Sequence, residues 1–334
     1  MYLMNRNKSN YTAALILAAA IALTGCSNSG NANSETGAAG AADGSVDSFT
    51  VVCTTFSQYD WVKNIMGEKA DESEIIYLLD KGVDMHSYQA SASDIRTILS
   101  CDLFLYNGGE SDNWAADIAS QNPDLYSLSA MSSCQAVEEE IVEGMETEEK
   151  DGKETEYDEH IWLSLENAQL ICRGICEALC ELDEDNAEIY RENTESYCKS
   201  LGECSDSFEQ LASSVSNPTI LVADRFPFRY LFDDYGIEYY AAFPGCSADS
   251  EASFETIAFL SSKTDELSLS TILVTKSSDM AIAKTIIENT KEKNQTIAVL
   301  NSMQAVTAAD IESGASYIGM MNENLAVLTA ALKG

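Results

Sequence analysis

Histidine is nearly absent: there are two in 334 residues, His86 and His160. Basic residues are also scarce, with 19 Lys and Arg against 55 Asp and Glu and a formal net charge of −36. A surface this acidic repels nucleic-acid phosphates and anionic lipid headgroups, which argues against both as partners. It draws cations only diffusely, and a solvated surface suited to its medium accounts for it as well. No segment follows G-x-x-x-x-G-K-(S/T), so any ATP hydrolysis coupled to this chain belongs to a partner. No motif supplies a positioned general base for a metal-bound water, which argues against a metallohydrolase, and the chain reads as a non-enzyme. The apolar run from Ala13 to Leu23, 11 residues, falls short of the ~20 that span a bilayer.

That short run belongs to a targeting segment. Arg6 and Lys8 precede it and Leu23-Thr-Gly-Cys26 closes it, so residues 1–26 read as an export signal. The closing tetrapeptide resembles a bacterial lipobox, which makes Cys26 the lipidated residue of the mature chain. Residues 27–48 are rich in Gly, Ser, Ala and Asn and read as a flexible tether. The remainder, in a chain that is 45% apolar and 8% aromatic, has the length for two domains with cores of their own. The nine cysteines other than Cys26 cannot all pair with one another. Cys172, Cys176 and Cys180 share one helix face, either as small apolar core residues or as a soft-metal thiolate group.

Strand and helix signals alternate, which predicts parallel α/β units. Strands are expected at 49–55, 74–79, 101–106, 219–223, 238–242, 271–275 and 296–300, with helices at 59–66, 165–182, 251–267, 280–289 and 317–332. From Glu184 to Ser213 there is no Pro and one Gly, and the apolar residues keep a helical period. Residues 137–159, VEEEIVEGMETEEKDGKETEYDE, are strongly acidic and nearly free of large apolar residues. They read as a mobile, solvated loop, with weak cation collection as the functional alternative.

The two histidines occupy special places in this pattern. His86 lies just past the carboxyl end of a strand, the rim at which open α/β sheets bind ligands. His160 lies in Asp158-Glu-His-Ile-Trp-Leu-Ser164. Neutral imidazole is the commonest zinc ligand, but a zinc site needs three or four donors, so two loop histidines do not make one by themselves. Trp61, Trp114 and Trp162 read as core or cleft wall, and Gly82, Gly108 and Gly109 as turn residues. Asp84 either orients the His86 ring or caps its loop.

The words around these residues add to the argument. GVDMHSYQASASDI (82–95) resembles the G-x-D-x-H-x-Y-x-x-(S/T)-x-x-D segment of the metal-binding lipoproteins that serve ABC importers, the zinc and manganese substrate-binding proteins of cluster A-I. DEHIWLSLENA (158–168) resembles the second histidine segment of that family. Further matches follow in family order at 51–67, 101–114, 224–253 and 316–332. The resemblance implies two Rossmann-like lobes with parallel sheets, joined by a long rigid linking helix, with a metal site in the cleft between them. The domains would be an N-terminal lobe at 49–182, the linking helix at 183–213 and a C-terminal lobe at 214–334. It implies capture of Zn2+, with Mn2+ or Fe2+ as alternatives, and partnership with an ABC permease and a cytoplasmic ATPase. It also implies a monomer outside the cytoplasm, anchored to the bacterial membrane through Cys26.

The resemblance places two ligands in each lobe. His86 and His160 match the first pair. The second lobe departs from the pattern, with no histidine at all. Asp224, shifted by one residue, is the nearest candidate for the third ligand. Asn301 stands where the fourth is expected, and Asp249 or Glu251 are substitutes. Two imidazoles with one or two second-lobe oxygens would suit manganese or iron better than an all-nitrogen set. The missing histidines also motivate an alternative from another class: a diverged lipoprotein with a weakened or lost metal site, acting as a surface adhesin.

Overall fold

Short runs of β-branched and apolar residues, separated by capped helices, cannot cover their own apolar faces and must stack side by side. In the computed structural model, which describes residues 49–146, 157–247 and 251–334, they do so twice. The first lobe holds β1 (Thr50–Cys53), α1 (Phe56–Met66), β2 (Glu74–Tyr77), α2 (Ala92–Leu99), β3 (Leu103–Tyr106), α3 (Asn113–Gln121) and β4 (Tyr126–Ser129). Helices α4 (Leu165–Leu182) and α5 (Ala187–Ser213) follow. The second lobe holds β5 (Thr219–Phe226), α6 (Arg229–Tyr235), β6 (Glu238–Pro244), α7 (Phe254–Leu267), β7 (Thr271–Thr275), α8 (Ala281–Asn289) and β8 (Thr296–Leu300). It is followed by α9 (Ala308–Glu312) and α10 (Tyr317–Lys333).

Both sheets have four strands, all parallel, in the same spatial order: β2-β1-β3-β4 and β6-β5-β7-β8. In each, the chain starts on a central strand, steps out to one edge and crosses back to the other side. The connection past the second strand therefore leaves the carboxyl rim beside the switch in direction, where ligands bind in such sheets. His86 follows β2, and the loop from Gly245 follows β6, its counterpart in the second lobe.

The 27-residue helix α5 is the strut between the lobes. At ~1.5 Å per residue it is about 40 Å long. Near its start the Asn193 amide donates to the Ile65 carbonyl, and the Tyr197 hydroxyl donates to Asp60, both on α1. Near its end Phe208 stacks on Tyr235 of α6, centroids 5.3 Å apart, and Ser205 pairs with the Tyr235 hydroxyl. One buried cluster runs continuously from Val51 and Trp61 through Tyr190, Leu201 and Phe208 to Phe232 and Leu328. Six cysteines, including Cys172, Cys176 and Cys180, lie buried as free thiols, and the described residues contain no disulfide. Among the described residues no helix is long and apolar enough to cross a membrane. The signal segment, the tether and Cys26 lie outside the described residues.

The acidic segment departs from the expectation of a solvated loop, as far as it is described: residues 147–156 lie outside. Its ends are docked on the second lobe. The Val137 amide donates to the Tyr230 hydroxyl, and the Glu146 amide to the Ala242 carbonyl of β6. Glu140 accepts from the Tyr239 hydroxyl, Met145 is buried, and the Gly144 carbonyl accepts from Thr256 of α7. The charge count hid this, because Glu139, Glu140 and Glu146 each accept from a specific donor of the second lobe. Gly144 has φ +91°, and a Cβ there would lie 2.1 Å from the Phe259 ring. Gly144→Ala is expected to lower the unfolding free energy by about 1–3 kcal/mol in a denaturant titration. A solvated segment would leave stability unchanged.

Candidate metal centre

Each histidine is set by local backbone chemistry before it meets the other. At His86, Asp84 caps a short 3-10 turn, its carboxylate accepting from the His86 amide at 3.1 Å. Of the two roles open to Asp84 the cap is the one seen; its other oxygen pairs with Arg225 of β5 at 3.0 Å, across the lobes. At His160, Asp158 accepts from both the backbone amide and ring Nδ1, each at 2.8 Å. Asp158 is itself buried, and its carbonyl accepts from the Tyr230 hydroxyl of α6. A carboxylate can only accept, so Nδ1 of His160 carries the hydrogen and Nε2 presents a lone pair.

His86 Nδ1 lies 2.7 Å from Ser111 Oγ, and the Ser111 amide donates to Glu159 at 2.9 Å. In the tautomer whose Nδ1–H donates to Ser111 Oγ, His86 Nε2 presents a lone pair as well. The two Nε2 atoms are 3.3 Å apart. In a tetrahedral zinc site with Zn–N of ~2.0–2.1 Å, two ligand nitrogens stand about 3.3 Å from each other.

Cys246 completes the cluster. Its sulfur and one nitrogen from each ring lie within 4.8 Å of one another. It sits two residues past β6, at the position in the second lobe that corresponds to His86 in the first. Gly245 allows the approach: a Cβ there would lie 3.0 Å from His160 Cε1, 3.1 Å from Nδ1 and 2.9 Å from the Phe226 carbonyl oxygen. Gln304, in the loop after β8, puts its side-chain nitrogen 3.0 Å from His160 Nε2. A cavity of about 290 Å3 opens over the group, lined by His86, Ser111, Tyr157, Glu159, Arg225 and Cys246.

The other residues singled out in the sequence lie elsewhere. Asp224 turns its carboxylate to the Thr275 hydroxyl at 2.6 Å and is not in the cluster. Asn301 accepts from the Met303 amide, and its backbone is clamped by Asn324. Glu251 is exposed, and Asp249 lies outside the described residues. Trp162 packs edge-on against His160 at 5.3 Å and donates to the Ser302 carbonyl, so it forms the cleft wall. Trp61 is fully buried in the core. Cys246, Glu159, Ser111 and Gln304 were not picked out as site residues. The repeat of strand order would have pointed to Cys246, because the loop after the second strand of each lobe reaches the same rim.

Burial disfavours the charged forms here. Burial, and then the facing His160, lowers His86 to about 4, while nearby Asp84 pulls the other way. Burial raises Glu159 above its ordinary range, and raises the Cys246 thiol strongly, with Glu139, Asp158 and Glu159 adding to the second effect. In the unfolded chain His86 takes up a proton below about pH 6.5; in the folded, metal-free chain it does not until about pH 4. Its stabilising contribution is therefore present above pH 6.5 and lost as the pH falls towards 4. The metal-free wild type should lose on the order of 2–3 kcal/mol relative to His86→Gln between pH 7 and 4, read as the difference between their unfolding curves. A constant difference would contradict the lowered value.

Comparison with known proteins bears on the same residues. The family model for the periplasmic zinc-uptake complex component A, ZnuA, matches residues 51–331. The high-affinity zinc uptake system protein ZnuA of Bacillus subtilis (strain 168) is 26% identical over 299 residues, covering 88% of this chain and 90% of that protein. The zinc-binding lipoprotein AdcA of Streptococcus pneumoniae (strain ATCC BAA-255 / R6) is 26% identical over 294 residues, 86% of this chain but 56% of that longer protein. The crystal structure of the Zn(II)-bound ZnuA-like domain of Streptococcus pneumoniae AdcA superposes with a TM-score of 0.69 at 22% identity, covering 86% of this chain and all of that one, which supports the two-lobed fold. Since the family model spans both sheets, the helix between them and both histidines, the chain belongs to the ZnuA family of periplasmic zinc-uptake components.

Proposed function

We propose that this chain is the extracytoplasmic solute-binding lipoprotein of an ABC importer: it captures a divalent transition metal, zinc before manganese or iron, and delivers it to a permease driven by a cytoplasmic ATPase. The observation that carries the reading is the convergence of the two imidazole Nε2 atoms, 3.3 Å apart, the spacing of two ligands on one tetrahedral ion. Burial disfavours a proton on His86, so a metal ion meets little competition from it. Membership of a zinc-uptake family supports import as the direction of transport. The chain works as a carrier rather than a catalyst, as one protomer, held to the outer face of the membrane through acyl chains on Cys26. The surplus of acidic residues raises the local concentration of cations at its surface and repels competing anions. The adhesin alternative drew on the missing second-lobe histidines; the sulfur within reach of both imidazoles favours metal capture over it.

Chelator-stripped protein titrated with zinc should take up one ion at high affinity, and His86→Ala/His160→Ala should abolish that step. Binding that is not stoichiometric, or that survives the double substitution, would sink the reading. For the anchor, wild-type cells fed a labelled fatty acid should incorporate label into this chain and keep it in the membrane fraction. Cys26→Ser should lose the label and move to the soluble fraction; labelled Cys26→Ser would refute the assignment.

A further inference from the structure

We infer that Cys246 is the second lobe's ligand to the transported ion, so that the cargo is held by two imidazoles and a thiolate in a centre that selects zinc-like, thiophilic ions over manganese. This rests on the import reading and names the chemistry of its site.

Geometry carries the inference. Among the described residues, the His, Cys, Asp and Glu side chains that converge closely enough to share an ion are His86, His160 and Cys246. The thiol is delivered by a built loop. Glu139 accepts from the Cys246 amide at 2.9 Å, and Gly245 clears the space through which the loop meets the His160 ring. The second-lobe oxygens that could compete are committed elsewhere, Asp224 to Thr275 and Asn301 to Met303.

A second observation points to a cation independently of the cysteine. Glu159 is 3% exposed, and its Oε2 has no hydrogen-bond partner. That oxygen lies 3.8 Å from His86 Nδ1, at the wall of the cavity. A buried carboxylate oxygen without a donor is costly unless positive charge is held nearby. Two neutral imidazoles and one thiolate leave a divalent ion with a single positive charge, and Glu159 brings the group to neutrality. On binding, the S–H bond breaks heterolytically, the sulfur pair goes to the ion and the proton goes to water. Thiolate and imidazole together favour zinc, whereas manganese favours oxygen donors.

Cobalt(II) replaces zinc as the probe, with zinc and manganese titrations beside it. One equivalent of cobalt added to the stripped full chain should give the near-ultraviolet sulfur-to-cobalt charge-transfer band. The band should vanish in Cys246→Ala and Cys246→Ser, whose other cysteines are unchanged. Zinc affinity should fall in both by more than the roughly 10–100-fold that loss of an outer partner costs. Cys246→Asp, which keeps a charged donor but exchanges sulfur for oxygen, should lower the zinc-to-manganese affinity ratio. Circular dichroism of each variant reports whether it folds. A folded Cys246→Ala with unchanged zinc affinity and an unchanged cobalt spectrum would overturn the thiolate; if His86→Ala still abolished binding, the import reading would stand without it. Zinc binding unchanged in both Cys246→Ala and His86→Ala would overturn the two together.

Discussion

Everything at the rim of this molecule answers to one constraint: two imidazole Nε2 atoms held face to face, 3.3 Å apart, where burial disfavours a proton on His86. Neither ring is free to turn away, because each is tied at its other nitrogen, His160 to Asp158 and His86 to Ser111. Nor can the first of those ties drift, since Asp158 is buried and held in turn by Tyr230. On the His86 side, Ser111 is set by Glu159, which packs so closely on Gly109 that a Cβ there would fall 2.6 Å from its side chain. The cost of assembling the pair is met on folding by hydrogen bonds remote from the ion. Little reorganisation is then left for binding itself, which is how a rigid site gains affinity.

The lobes are held for the same purpose. Helix α5 packs on α1 of one lobe and α6 of the other, and the cleft floor is stitched between them. The Tyr77 hydroxyl donates to the Val306 carbonyl, the Trp162 indole to the Ser302 carbonyl, and the Ala308 amide to the Asp80 carbonyl at 2.7 Å. Arg225 and Asp84 close the pattern near the site. A hinge of the flexible kind would have to break these contacts together. Since the Gln304 nitrogen stands against His160 Nε2, an incoming ion has to displace or turn that side chain.

Much of this was legible in the sequence, and the rest was hidden for identifiable reasons. Helix α4 and strands β7 and β8 lie where periodicity and flanking breakers put them, and the long helix was visible as an uninterrupted helical period. Strand β4, Tyr-Ser-Leu-Ser, was not visible: it is an edge strand of four residues, none fully buried, with two serines. Helix α6 has seven residues, two turns, too few to show a period. The first-lobe histidines could be read because their words are distinctive. In the second lobe the words point to oxygen donors, Asp224, Asn301 and, in the loop after β6, Asp249 or Glu251, whereas the side chain facing the histidines is the thiol of Cys246 in that same loop.

The acidic segment shows why charge alone misled. Its composition describes a chain that water should dissolve, yet three of its described carboxylates are spent on the second lobe: Glu139 on the Cys246 amide, Glu140 on Tyr239, Glu146 on the Ser253 amide. The same segment then returns through Tyr157 and Asp158 to His160, with the Asp158 amide bonded back to the Val137 carbonyl. One stretch of chain therefore braces the loop that presents the sulfur and also carries the buried imidazole. A shift of β6 relative to the first lobe would pull on both at once. The distance between Cys246 and His160 is in this way coupled to the docking of the acidic segment, which makes that segment part of the frame of the site rather than an appendage to it.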